Sequence, residues 1–220
     1  MSGPDSKPAW ARLFRVACAL IRQVNAEQSV IDHWTFGGGT AMMLQIDHRE
    51  SRDVDIFLLD PQFLPLLDTQ KHDFVFEIDP IACTGDGARF LRLAFENIGE
   101  IDFIVGGSLT SMPSRSTAIE GENVQLETIP EVIAKKIYHR GSNIKPRDIF
   151  DIAAAGLEHA NSIIDELRRY KNQVGITLST MERLNPAFVN SAIAELAIKP
   201  RYAPVGETAL DRAREILRAV

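Results

Sequence analysis

Nowhere in its 220 residues does the chain run apolar long enough to cross a bilayer, which takes roughly 20 consecutive apolar residues. It carries two cysteines, Cys18 and Cys83, far apart and without the short spacing of a metal knuckle, which predicts buried thiols of a reducing compartment. Its five histidines, His33, His48, His72, His139 and His159, form neither HxxxH nor HExxH, so zinc is not expected. Positive charge is in the minority: 24 Lys and Arg stand against 30 Asp and Glu, and the net charge of −6 argues against a surface coated for general nucleic-acid binding and confines any RNA footprint to a local face. Residues 1–8 are polar and hold no signal-peptide hydrophobic region, so the expected location is the cytoplasm, with no membrane partner. There is no internal repeat and no low-complexity tract.

What is present suits an enzyme. A composition of 45% hydrophobic and 25% charged residues supports a sizeable core, in one large domain or two small ones. The most informative stretch runs Phe36-Gly37-Gly38-Gly39-Thr40-Ala41, followed by Arg52-Asp53-Val54-Asp55-Ile56-Phe57. Glycines permit close backbone approach, and the N–H groups of the helix they open favour phosphate. In a strand, residues i and i+2 share a face, so Asp53 and Asp55 project together while Val54 and Ile56 point away. Two carboxylates so close repel unless a cation lies between them, and Mg²⁺ (or Mn²⁺), which takes carboxylate and substrate phosphate oxygens, suits the pair. An Asp-x-Asp alone is weak, as is a glycine turn alone; together they are far more specific.

A third acid, Asp102, stands in the apolar run Ile101-Asp102-Phe103-Ile104-Val105. On a strand beside the Asp pair it completes a two-metal arrangement and can take a proton from an attacking hydroxyl.

The expected organisation is α+β. An amphipathic helix spans about 8–26, a short strand 33–36, then come the glycine turn with its helix and the Asp53/Asp55 strand. Segments 74–81, 89–95 and 100–105, parted by turn-rich sequence, predict an antiparallel meander. This makes residues 1–110 a catalytic α/β domain with helices on its sheet. Residues 111–220 form a mainly helical C-terminal domain, with a strand near 123–127 and helices over about 131–140, from 146, 161–173, 179–197 and 206–219. Thr128 and Pro130 suit a helix start, and Gly141 its end. Basic clusters at Arg12/Arg15/Arg22, Arg168/Arg169/Lys171 and Lys199/Arg201 are the candidate RNA contacts, although such a cluster is more often a solvated helix face than a binding site.

The motif series Gly38-Gly39-Thr40-Ala41, His48-Arg49-Glu50-Ser51-Arg52-Asp53-Val54-Asp55, Ile101-Asp102-Phe103, Glu131 to Gly141 with Lys135-Lys136, and Pro146-Arg147-Asp148-Ile149-Phe150-Asp151 resembles the AbiEii/AbiGii nucleotidyltransferase-like toxin family over about residues 30–155. The resemblance implies a polymerase β-like nucleotidyltransferase sheet with flanking helices, followed by a helical C-terminal bundle. It further implies metal-dependent transfer of a nucleoside monophosphate from a nucleoside triphosphate to an acceptor hydroxyl, with pyrophosphate released. It points to a bacterial toxin with a cognate antitoxin, and to a tRNA 3′ end as acceptor. The alternatives are a small-molecule or protein acceptor, or a non-catalytic nucleotide-binding or partner protein.

Carried over by position, Asp53, Asp55 and Asp102 are the metal ligands and, with Lys136, the catalytic residues. Gly38, Gly39, Thr40, Ser51, Lys136, Arg147, Asp148 and Asp151 are the nucleotide-binding set. Lys135 competes with Lys136 for the lysine role. Asp148 and Asp151 share a helix face: one is expected to orient that lysine or bind the nucleotide, the other to cap the helix or pair with Arg147.

Overall fold

A computed structural model describes residues 7–27 and 29–220; the polar segment 1–6 lies outside the described residues. The chain divides into two compact units, one of residues 1–41, 51–107 and 114–127, the other of 42–50, 108–113 and 128–220.

The first unit is built on a seven-stranded mixed sheet. Its strands are β1 (Trp34–Gly37), β2 (Val54–Leu58), β3 (Ala82–Gly85), β4 (Phe90–Phe95), β5 (Gly99–Val105), β6 (Ser114–Ile119) and β7 (Glu122–Glu127), in the order β3-β4-β5-β2-β1-β7-β6. Strand β2 lies antiparallel to β1 and parallel to β5, and β1 lies parallel to β7. Alternation works as expected on β2: Val54, Ile56 and Leu58 are buried while Asp55 and Phe57 are half-buried on the other face. Helix α1 (Ala9–Glu27) packs against β2 and β5 with Leu13, Phe14, Ala17, Leu20 and Ile21, in a core shared with Ile56, Leu93, Ile101 and Phe103.

Two features of this unit depart from the expected organisation. Residues 74–81 form no strand; the segment instead rests Phe74, Phe76 and Ile78 on the core, and the first meander strand is β3, within the sequence expected to turn. The Ser- and Thr-rich stretch after residue 113 forms β6, and the β6–β7 hairpin joins the sheet at β1. Residues 114–127 therefore group with the sheet and 42–50 with the helices, where the sequence suggested a single division after residue 110.

The second unit is helical: α3 (Ile129–Arg140), α4 (Pro146–Leu167), α5 (Lys171–Arg183), α6 (Pro186–Ala194) and α7 (Ala203–Arg218). Helix α3 begins as its sequence signals, with Thr128 Oγ1 accepting the Glu131 N–H and Pro130 in the first turn, a cap worth about 1 kcal/mol. Its core gathers Ile133, Ile137, Phe150, Ile152, Ile163, Val189 and Tyr202. Residues 42–50 continue helix α2 (Gly38–Ile46) into this unit, where Tyr202 Oη donates to the Ile46 carbonyl at 2.9 Å and Arg49 bridges to Ile198. Among the described residues, no helix is long and apolar enough to cross a membrane.

Candidate active site

Within the sheet unit, register rather than sequence distance assembles the site. Arg92 on β4 lies opposite Asp102 on β5, Asp102 opposite Asp55 on β2, and Asp55 opposite Gly37 on β1. Strand alternation puts these positions in one row on the face away from α1. Asp102, 47 residues downstream of Asp55 in sequence, is thus its immediate lateral neighbour.

Gly37 and Gly38 are glycines for steric reasons. A Cβ at residue 37 would stand 2.2 Å from Glu127 Oε2 and 2.6 Å from the Phe57 ring. Gly38 takes φ +70°, and its Cβ would stand 1.8 Å from Asp55 Oδ2. The turn therefore closes directly onto the carboxylate. Glu127 is buried at the end of β7 and accepts from Thr35 Oγ1 at 2.6 Å. It was not singled out from sequence, where it looked like the end of a C-terminal-domain strand.

Asp53 sits just ahead of β2, and its Oδ1 accepts the Glu100 N–H at 3.1 Å. Thr40 is fully buried; its hydroxyl donates to the Asp53 carbonyl and lies 2.9 Å from Ser51 Oγ. That hydroxyl ties the α2 start to the β2 approach, while Gly38 and Gly39 provide the backbone of the turn.

Asp102 is 7% exposed, and Arg92 grips both of its oxygens: Nε to Oδ1 at 2.7 Å and Nη2 to Oδ2 at 2.8 Å. Arg92 Nη1 also meets Glu100 Oε2 at 3.0 Å. The hydrogen-bonded Asp102 carboxylate, outweighing partial burial, raises the guanidinium's pKa further above its ordinary value. Nothing in the sequence pattern flagged Arg92 beyond its place in an alternating strand.

Asp53 and Asp55 carry hard carboxylate oxygens of the type a magnesium ion takes, commonly from one or two carboxylates completed by substrate phosphate and water, and one Asp53 oxygen also accepts the Glu100 N–H. Asp102 meets the site already paired, with Arg92 on both of its oxygens. Among the described residues, no three acidic, histidine or cysteine side chains form a group that could hold a metal.

In the helical unit, Lys136 and both candidate aspartates come together. Lys136 Nζ pairs with Asp148 Oδ1 and, at 2.9 Å, with Asp151 Oδ2. Asp151 also receives Arg49 Nε at 2.7 Å and Nη2 at 2.9 Å, and His48 Nε2 lies 2.9 Å from its Oδ1. Asp148 Oδ2 accepts the Lys145 N–H, capping α4. Burial alone would lower the Lys136 pKa, but the Asp151 and Asp148 carboxylates more than offset it and hold it above the ordinary lysine value. Burial would likewise raise Asp151, yet Lys136 and Arg49 hold it well below the usual carboxylate range. Both aspartates thus orient the lysine, and the arginine that pairs with Asp151 is Arg49, not the exposed Arg147. Lys135 turns to Glu131, which accepts from Leu109 N, Thr110 N and Thr110 Oγ1.

A family model described as "Nucleotidyl transferase AbiEii toxin, Type IV TA system" matches residues 20–215. Among solved structures, the chain is similar to the nucleotidyltransferase toxin MenT4 of Mycobacterium tuberculosis H37Rv, at 16% identity, TM-score 0.53, covering 96% of this chain and 84% of that one. It is also similar to JHP933 from Helicobacter pylori, at 14% identity, TM-score 0.44, with 96% and 92% covered. At such identities the MenT4 likeness speaks for the fold. No curated protein sequence matches. With the family match spanning nearly the whole chain and the glycine turn, paired strands and acidic row in one sheet, the chain belongs to the AbiEii nucleotidyltransferase toxin family.

Proposed function

We propose that this nucleotidyltransferase is metal-dependent and moves a nucleoside monophosphate from a nucleoside triphosphate to the 3′ hydroxyl of a tRNA, acting as the toxin of a toxin–antitoxin pair. The observation that carries the chemistry is the placement of Asp55 and Asp102 at equal register on adjacent parallel strands, with Gly38 closed against Asp55.

In this reading, Asp53 and Asp55 hold Mg²⁺ or Mn²⁺, which when bound offsets triphosphate charge and polarises the phosphoryl oxygens. The N–H groups of Gly38 and Gly39, at the start of α2, face the phosphates, and Thr40 and Ser51 keep that turn in place. Asp102 accepts a hydrogen bond from the acceptor hydroxyl and orients it for in-line attack at the α-phosphorus; a carboxylate has lone pairs for both Arg92 and the hydroxyl. Lys136, kept charged by Asp148 and Asp151, provides the ammonium that offsets negative charge on departing pyrophosphate, and Arg147 a second phosphate donor.

An RNA acceptor is supported by which cations remain unpaired. Several basic residues of the clusters are neutralised: Arg15 by Glu77, Arg22 by Glu122, Arg168 by Asp165, Arg169 by Glu166, Lys199 by Glu50 and Arg201 by Glu158. Among the described residues, Arg140, Lys145, Arg147, Lys171, Arg183 and Arg212 of the helical unit form no ion pair, nor do Arg12, Arg52 and Arg115 of the sheet unit. Lys171 and Arg183 line a hollow of about 480 Å³ with Ser142, Asn172, Ser179 and Thr180, side-chain donors suited to a phosphate backbone.

The test is transfer of label from each α-³²P nucleoside triphosphate into total tRNA, with and without Mg²⁺, for the wild type and Asp53→Ala/Asp55→Ala. Metal-dependent label that vanishes in the double variant is expected. Label in a small molecule or protein but not in tRNA would overturn the acceptor assignment, and no label in any acceptor would overturn the catalytic one.

A further inference from the structure

The acidic face already contains a cation supplied by the chain. Arg92 makes a fork-to-fork pair with Asp102 and a third bond to Glu100, and it also senses the charge of Asp53, which takes the Glu100 N–H. The pairing is set by backbone register, because Arg92 and Asp102 are directly opposed on β4 and β5. An ion shared by Asp55 and Asp102 would have to share that carboxylate with a bidentate guanidinium and stand beside its positive charge, and arginine does not yield by losing its proton. The Arg92 side chain is nevertheless 40% exposed, so the group that holds Asp102 is also open to solvent.

We propose that Arg92 is the second cation of this site, standing at Asp102 in place of a second metal ion, so that the chain binds a single divalent ion through Asp53 and Asp55. This rests on the metal-dependent reading above and assigns Arg92 as a positioning residue for it. A guanidinium at this place fixes the Asp102 carboxylate in the plane of its fork and supplies positive charge that does not dissociate with metal concentration.

The experiment is a count of bound Mn²⁺ on the full chain, read from the electron paramagnetic resonance signal of the free ion during titration with Mn²⁺ alone. Wild type is expected to bind one ion per chain, and Asp102→Asn still one, with affinity changed less than threefold. Arg92→Ala, by exposing Asp102, is expected to bind two, whereas Arg92→Lys, which keeps a cation there, binds one. If Arg92→Ala does not fold, Arg92→Gln serves the same purpose, with circular dichroism checking each variant. Two ions on wild type, or a tenfold weaker or missing ion in Asp102→Asn, would overturn the role of Arg92. An ion count of zero on wild type overturns the metal-dependent reading itself, a distinct result.

Discussion

Lys136 Nζ stands 2.9 Å from Asp151 Oδ2, and the Asp151 side chain has no exposed surface at all. An ion pair of this kind adds little net stability over a well-packed apolar pair, yet removing one member leaves a buried charge uncompensated. Asp151→Asn, which strands Lys136 and Arg49 together, is expected to lower unfolding free energy by about 3–5 kcal/mol. Urea unfolding checks it; an unchanged midpoint with lost transfer would mean that Asp151 acts only on the substrate.

The same pair predicts a pH profile. Asp151 has a folded pKa below its ordinary value of 3.8, so its contribution is complete above that value and is lost as pH falls through the folded pKa. Lys136 has a folded pKa above 10.5, so its contribution is complete below that value and is lost as pH rises through the folded pKa. The difference in urea midpoint between wild type and Asp151→Asn should therefore stay constant from about pH 5 to 9 and narrow under stronger acid. A difference that varies steadily across neutral pH would contradict this assignment.

Gly38→Ala places a methyl group where Asp55 Oδ2 now lies, at a φ that costs an L-residue about 1–2 kcal/mol. Moving the carboxylate by about 1 Å should lower transfer about 100-fold. Steady-state transfer together with a thermal melt separates the two effects; a fully active, equally stable variant would show that the turn does not position Asp55.

Burial, reinforced by the nearby Glu122 charge, pushes the Cys18 thiol up to about 12, which leaves almost no thiolate at neutral pH. Cys83 is half-buried on the short strand β3. A thiol reagent should label one cysteine per native chain, identified as Cys83 by peptide mapping, and both after unfolding. Rapid labelling of Cys18 in the native chain would mean that α1 opens readily.

Elements with strong local signals were legible in the sequence. The α1 stripe, the glycine turn into α2 and the Thr128/Pro130 start of α3 lie within a residue or two of expectation. The alternation of Asp55 with Val54 and Ile56 was equally plain. What local pattern could not convey was pairing between distant segments. The opposition of Arg92 to Asp102 depends on hairpin register, and the attachment of β7 to β1 on a parallel pairing across about 90 residues. The strand β6 was hidden because Ser114, Arg115, Ser116 and Thr117 form a polar edge that needs only one neighbour. The His48–Arg49–Asp151 contacts were out of reach for the same reason, with about 100 residues between partners.

The parallel joining of β1 to β7 has a consequence for how this enzyme is made. All the acids of the row have been synthesised by residue 102, but β7, which flanks the glycine turn, is completed only at residue 127. Pairings so distant along the chain are slow to close, because the intervening loop must be ordered before the contact rewards it. A chain still emerging from the ribosome thus holds every carboxylate of the row without the strand that flanks its glycine turn, and the sheet around that turn closes only once residue 127 is free to pair.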